Sequence, residues 1–165
     1  MARTVMFARA APELSSRRAA AGTTLLDLML AIVVAAILGG IAYASYARYL
    51  DRLKVGRAEN DIYEFQQAIE RFRSQNWRLP QTLVEANLNG KLDPWGRAYY
   101  YQPFLTPKDF KNARKDKHLH PLNTDFDLYS AGKDGLTKLP LTAKASQDDV
   151  LRANNGAFVG LASDY

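Results

Sequence analysis

Three carboxylates in the last third of the chain are of the type that binds a hard cation. Asp134 stands in Lys133-Asp134-Gly135, and Asp148 and Asp149 close the segment that follows. If that segment folds back on itself, the three converge. Calcium takes six to eight oxygens from carboxylates and backbone carbonyls in a flexible geometry. Gly132 and Gly135 give the backbone the freedom to turn carbonyls inward. The pattern is not an EF-hand loop, which needs D-x-[DN]-x-[DN]-G and a terminal Glu. From spacing alone, Asp134-Gly135 reads as a turn. Asp148-Asp149 then reads as a helix start before Val150, Leu151 and Ala153.

Other chemistry is sparse. The chain has no cysteine, which excludes disulfides and cysteine-ligated zinc or iron–sulfur sites. His118 and His120, the only histidines, lie in the basic segment 106–125. Two histidines at that spacing with no Glu-x-x-His nearby read as part of a solvated basic loop. No nucleophile–base pair, phosphate loop or metalloprotease helix is present, so the chain is not expected to be an enzyme. The formal net charge of +5 hints at nucleic acid. Arg3, Arg9, Arg17 and Arg18, against Glu13 alone, place most of that excess in the first 22 residues. That argues against nucleic-acid binding by the body of the protein.

The remaining informative carboxylate is Asp27, at the mouth of an apolar run. Residues 28–47 carry no charged side chain. As a helix they would span about 30 Å, the thickness of a bilayer's hydrocarbon core. A charge inside that layer costs about 2.5–3.5 kcal/mol on insertion scales. The carboxylate therefore either reaches the headgroups or finds a partner. The arginines ahead of the run favour a cytoplasmic N-terminal end.

Ala42-Tyr43-Ala44 has the form of a signal-peptide cleavage site. The apolar run, however, is longer than a signal peptide's, and the helical pattern continues past it. Leu50, Leu53, Ala58, Ile62, Phe65, Ile69 and Phe72 fall on one helical face, with Glu59, Asp61, Glu64, Gln67, Glu70, Arg71 and Arg73 largely on the others. The simplest reading is one helix over residues 24–75, roughly 75–80 Å long. Gly39-Gly40 is a soft point within it. Pro80 stops the helix and Asn89-Gly90 is a turn. Asp93-Pro94-Trp95-Gly96 is a second turn, followed by a strand over 98–102, and a further strand is expected over 126–130. The tail from Arg152 reads as an apolar segment tucked on the body.

Gly22 followed by Thr23-Thr24-Leu25-Leu26-Asp27-Leu28-Met29 resembles the prepilin peptidase site of type IV pilins and type II secretion pseudopilins. The Asp-Pro-Trp-Gly turn, the aromatic strand and the Ser-Ala-Gly-Lys-Asp-Gly loop, in that order, resemble the major, G-type pseudopilin branch. Thr23 stands where that family usually has Phe or Met, Asp27 where it usually has Glu, and Ala44 where a proline is common. The 106–125 segment also departs from the family.

The resemblance implies an α+β, pilin-like fold: one long helix, a small antiparallel sheet and an ordered C-terminal loop. It implies a leader over 1–22 removed by prepilin peptidase after Gly22, leaving Thr23 as an N-methylated mature N-terminus. The helix would cover 23–75, with 28–47 crossing the inner membrane of a Gram-negative bacterium, and 76–165 would form a periplasmic domain. It implies a filament subunit of type II secretion that polymerises with its own copies, works with minor pseudopilins and an inner-membrane assembly platform, and pairs Asp27 with the Thr23 amine of a neighbouring copy. An anchored binding module and a DNA-uptake pilin are the alternatives from other classes. Finally, it implies a structural calcium held by Asp134, the carbonyl of Ala131, Asp148 and Asp149. Chelation should then lower the melting temperature and calcium restore it.

Overall fold

The computed structural model describes residues 24–165. Gly22 and Thr23 lie outside the described residues. The fold is α+β: one long helix, α1 (Leu25–Asn76), and a four-stranded antiparallel sheet of β1 (Tyr100–Pro103), β2 (Phe126–Ser130), β3 (Val150–Ala153) and β4 (Phe158–Leu161). Neighbours in sequence are neighbours in the sheet, in the order β1-β2-β3-β4. The chain divides into two compact units between Ala42 and Tyr43.

In the first unit, α1 is apolar on every side. Every residue from 24 to 42 is exposed, and so are the helix residues from 43 to 50 of the second unit. Among the described residues, α1 is the one helix long and apolar enough to cross a membrane. A helix apolar all round finds no gain from water on any face, which suits lipid or other apolar helices.

In the second unit, α1 turns amphipathic. Ala58, Ile62, Phe65, Ala68 and Ile69 are its buried residues. The apolar stripe expected over 50–72 is thus buried over its middle only; Leu50 and Leu53 remain exposed. The helix ends at Asn76 because Trp77 adopts φ 57° and its N–H donates to the Arg73 carbonyl at 2.8 Å, a left-handed cap. Pro80 lies beyond that stop and does not cause it.

Side chains alternate across a strand, and both faces of the sheet centre are used. Phe126, Leu128 and Val150 pack with Ala58, Ile62, Phe65, Ile69 and Tyr99 in one cluster. Leu151 and Ala153 pack in a second cluster with Leu122, Leu141 and Ala162. The segment after Asp149 is therefore strand β3, not the helix start that spacing suggested. Its alternation of Val150 and Leu151 between two cores outweighs the capping potential of Asp148-Asp149. The tail is likewise strand β4, paired with β3 from Val150↔Leu161 to Ala153↔Phe158. The β2 strand matches its expected bounds, while β1 begins two residues later than expected.

Candidate functional site

Two motif blocks, joined by a contact between residues 37 positions apart, form one junction. The Asp-Pro-Trp-Gly turn closes when the Asp93 N–H donates to the Arg97 carbonyl at 2.7 Å and the Gly96 N–H donates to the Asp93 carbonyl at 2.9 Å. One Asp93 carboxylate oxygen accepts the N–H groups of Trp95 and Arg97 at 3.0 and 2.8 Å. The other accepts the hydroxyl of Ser130, whose oxygen in turn accepts the Gly132 N–H at 3.2 Å. Asp93 and Ser130 are both buried. A buried carboxylate costs little when its lone pairs are filled in this way.

Arg97 completes the junction. Its guanidinium donates to the Gly132 carbonyl at 2.6 Å and to the Lys133 carbonyl at 3.2 Å. Gly135 adopts φ +73°, and a Cβ there would lie 2.6 Å from the guanidinium carbon of Arg97. The backbone angle favours glycine, and a side chain there would push the Arg97 guanidinium off the carbonyls it holds. Lys133 then reaches the helix through an exposed ion pair with Asp51 at 2.7 Å.

The four residues expected to hold calcium are placed differently from one another. Ala131 is buried, Asp134 exposed, Asp148 half-buried and Asp149 fully buried. The Ala131 carbonyl accepts the Gly135 N–H at 3.1 Å. Asp148 accepts the Asp134 N–H at 2.8 Å, and Asp134 accepts the Leu136 N–H at 2.7 Å. These are contacts that cap turns. Asp149 is committed elsewhere: Arg114 donates to it at 2.6 Å and Thr137 at 2.7 Å. Among the described residues, no group of three or more His, Asp or Glu side chains is placed to share a metal ion. The carried-over ligand set therefore does not fit a calcium ion as these residues stand. The physical reason is that Asp149 faces a guanidinium, while Asp134, the firmest of the expected ligands, is exposed and caps its own turn.

Arg114 is the residue that sequence reading missed. It is 2 % exposed, lies over the Tyr129 ring at 4.3 Å, and comes from the basic segment treated as solvated. Its backbone N–H donates to the buried Asp127 carboxylate at 2.6 Å. Burial pushes the Asp127 carboxyl above its ordinary range, against the opposing pull of that N–H and of Asn123. Burial likewise raises the Asp149 carboxyl, with Arg114 opposing it. His118 and His120 are in a turn of the same segment, where Asp116 N–H donates to the Leu119 carbonyl at 3.0 Å.

At the other end of the chain, Asp27 takes part in a reciprocal cap. Its carboxylate accepts the Thr24 N–H at 3.0 Å, and its own N–H donates to the Thr24 hydroxyl at 3.2 Å. This capping box satisfies two of the donors left free at a helix start. A carboxylate offers about four lone-pair sites, so the cap leaves acceptor capacity for a further donor.

No family model matches the chain, and no solved structure matches it. Among curated proteins, it is 29 % identical over 140 residues to the type II secretion system core protein G of Pseudomonas aeruginosa, covering 72 % of this chain and 87 % of that protein. The long apolar N-terminal helix and the small antiparallel sheet form a pilin-like arrangement, and the chain is similar in sequence to a G-type, type II secretion core protein.

Proposed function

We propose that the chain is the filament subunit of a type II secretion pseudopilus, built like a G-type pseudopilin and doing no catalysis. The observation that carries this reading is the fully exposed, all-round apolar first half of α1, headed by a single carboxylate. Its apolar surface needs partners that the described chain does not supply. Copies of the same helix meet that need in a filament, and lipid meets it before assembly.

In this reading prepilin peptidase cuts after Gly22, and Thr23 becomes a methylated N-terminus. The segment 28–47 crosses the inner membrane, and the domain from residue 76 lies in the periplasm of a Gram-negative bacterium. Minor pseudopilins and an inner-membrane platform assist assembly. Asp27 accepts the Thr23 amine of an adjacent copy, which sets the axial register and offsets the cost of a carboxylate among apolar helices. The similarity to core protein G supports the secretion system over a DNA-uptake pilus.

The test is mass spectrometry of the intact protein extracted from membranes. The expected mass is that of a chain starting at Thr23 with one added methyl group. A mature chain starting after Ala44, as a signal peptide would leave it, would overturn the reading.

A further inference from the structure

We infer that the C-terminal loop, residues 131–149, is locked by two arginines and does not use a metal ion. Arg114 supplies the positive charge against Asp149, and Arg97 gathers the carbonyls of Gly132 and Lys133. This holds whether or not the chain polymerises.

A cation that orders this loop has two tasks: to neutralise the buried Asp149 and to tie the loop's start to its end. Arg114 performs the first from a side chain as buried as its partner, at 2 % and 0 % exposure. The same guanidinium donates to the Thr137 hydroxyl at 2.6 Å, and that hydroxyl donates on to Asp149. The arginine thus holds the middle and the end of the loop together. The second task falls to Asp148, which receives the Asp134 N–H, while Arg97 fixes the loop's start through the carbonyls of Gly132 and Lys133.

The segment that delivers Arg114 is stapled to the same loop by backbone contacts. The Lys115 N–H donates to the Leu139 carbonyl at 3.1 Å and the Leu141 N–H donates to the Lys115 carbonyl at 2.9 Å. The Leu122 N–H donates to the Arg114 carbonyl at 2.8 Å, and Leu122 and Leu141 share one apolar cluster. The basic 106–125 segment and the 131–149 loop therefore act as one unit, with Arg114 as its pin.

Asp149 Oδ1 and Arg114 Nε are buried without a hydrogen-bond partner. Asp149, Asp148 and Asp134 each spend a carboxylate oxygen on Arg114, the Asp134 N–H and the Leu136 N–H, and the one buried oxygen left free falls far short of the six or more that calcium needs. A divalent ion there would also stand beside a buried guanidinium, and like charges at such range repel strongly in a low-dielectric interior.

The experiment uses the full chain in detergent micelles, melted with excess EDTA and with millimolar calcium. The two melting temperatures are expected to agree within about 1 °C, as when a ligand has no site to stabilise. Arg114→Ala should lower the melting temperature by about 10 °C, and calcium should not recover it. The double variant Arg114→Leu/Asp149→Leu should recover most of that loss, because no buried charge is left unpaired. Should Arg114→Ala fail to fold, the wild-type comparison decides alone. A wild-type melting temperature that falls with EDTA and returns with calcium would overturn the inference.

Discussion

Residues 24–42 and 58–69 are parts of one helix that meet opposite conditions. The first stretch is exposed on every face. The second buries Ala58, Ile62, Phe65, Ala68 and Ile69 against the sheet, leaves Glu64 exposed, and holds Asp61 against Tyr99 and Lys91 of the domain. Both contain apolar residues, but 24–42 carries Asp27 as its one charge, whereas 58–69 intersperses Glu59, Asp61 and Glu64. The difference is in the pattern: an unbroken apolar surface finds its partners in lipid or other chains, whereas a stripe finds them in its own domain. One helix can therefore serve assembly at one end and folding at the other.

Substitutions can break or sharpen that contrast. The largest effect on stability is expected at Phe65, which is 0 % exposed and packs edge-on against Tyr99 at 4.9 Å. Phe65→Ala should cost about 3–5 kcal/mol, read by denaturant unfolding of the full chain in micelles. In the first half, Leu38, 61 % exposed, should respond oppositely. Leu38→Ala should leave the same unfolding curve within about 0.5 kcal/mol while weakening helix-to-helix association. An equal loss at both positions would erase the distinction between the halves. The smallest effect belongs to Lys133→Ala, which removes an ion pair with Asp51 whose side chains are 65 % and 42 % exposed. It should cost less than about 1 kcal/mol, less still at high salt.

Much of this arrangement was legible from local pattern. The helix over 24–75, the turn at Asp93 and the strand over 126–130 each follow from periodicity or turn chemistry within a few residues. β3 and β4 were not legible, because their short apolar runs acquire meaning only when two separate cores cover opposite faces of the sheet. The loop chemistry shows the same limit. Asp134 meets Asp148 through its backbone N–H and not through its carboxylate. The partner of Asp149 is an arginine 35 residues away in sequence, inside a segment whose composition reads as solvent-facing. No spacing rule links such a pair; only the backbone stapling of the two loops brings it about. The capping box of Thr24 and Asp27, by contrast, stands openly in sequence as Thr-x-x-Asp.

In the proposed filament, the exposed half of α1 joins copies of this chain and Asp27 fixes their register. The direct measurement is electron microscopy of fibres from cells producing the chain with its secretion machinery, wild type beside Asp27→Ala at matched membrane levels. The account predicts long fibres from the wild type, and none from Asp27→Ala although the variant's domain unfolds at the wild-type midpoint. A wild type that stays a dispersed, anchored monomer, or Asp27→Ala fibres equal in number and length to the wild type's, would contradict it.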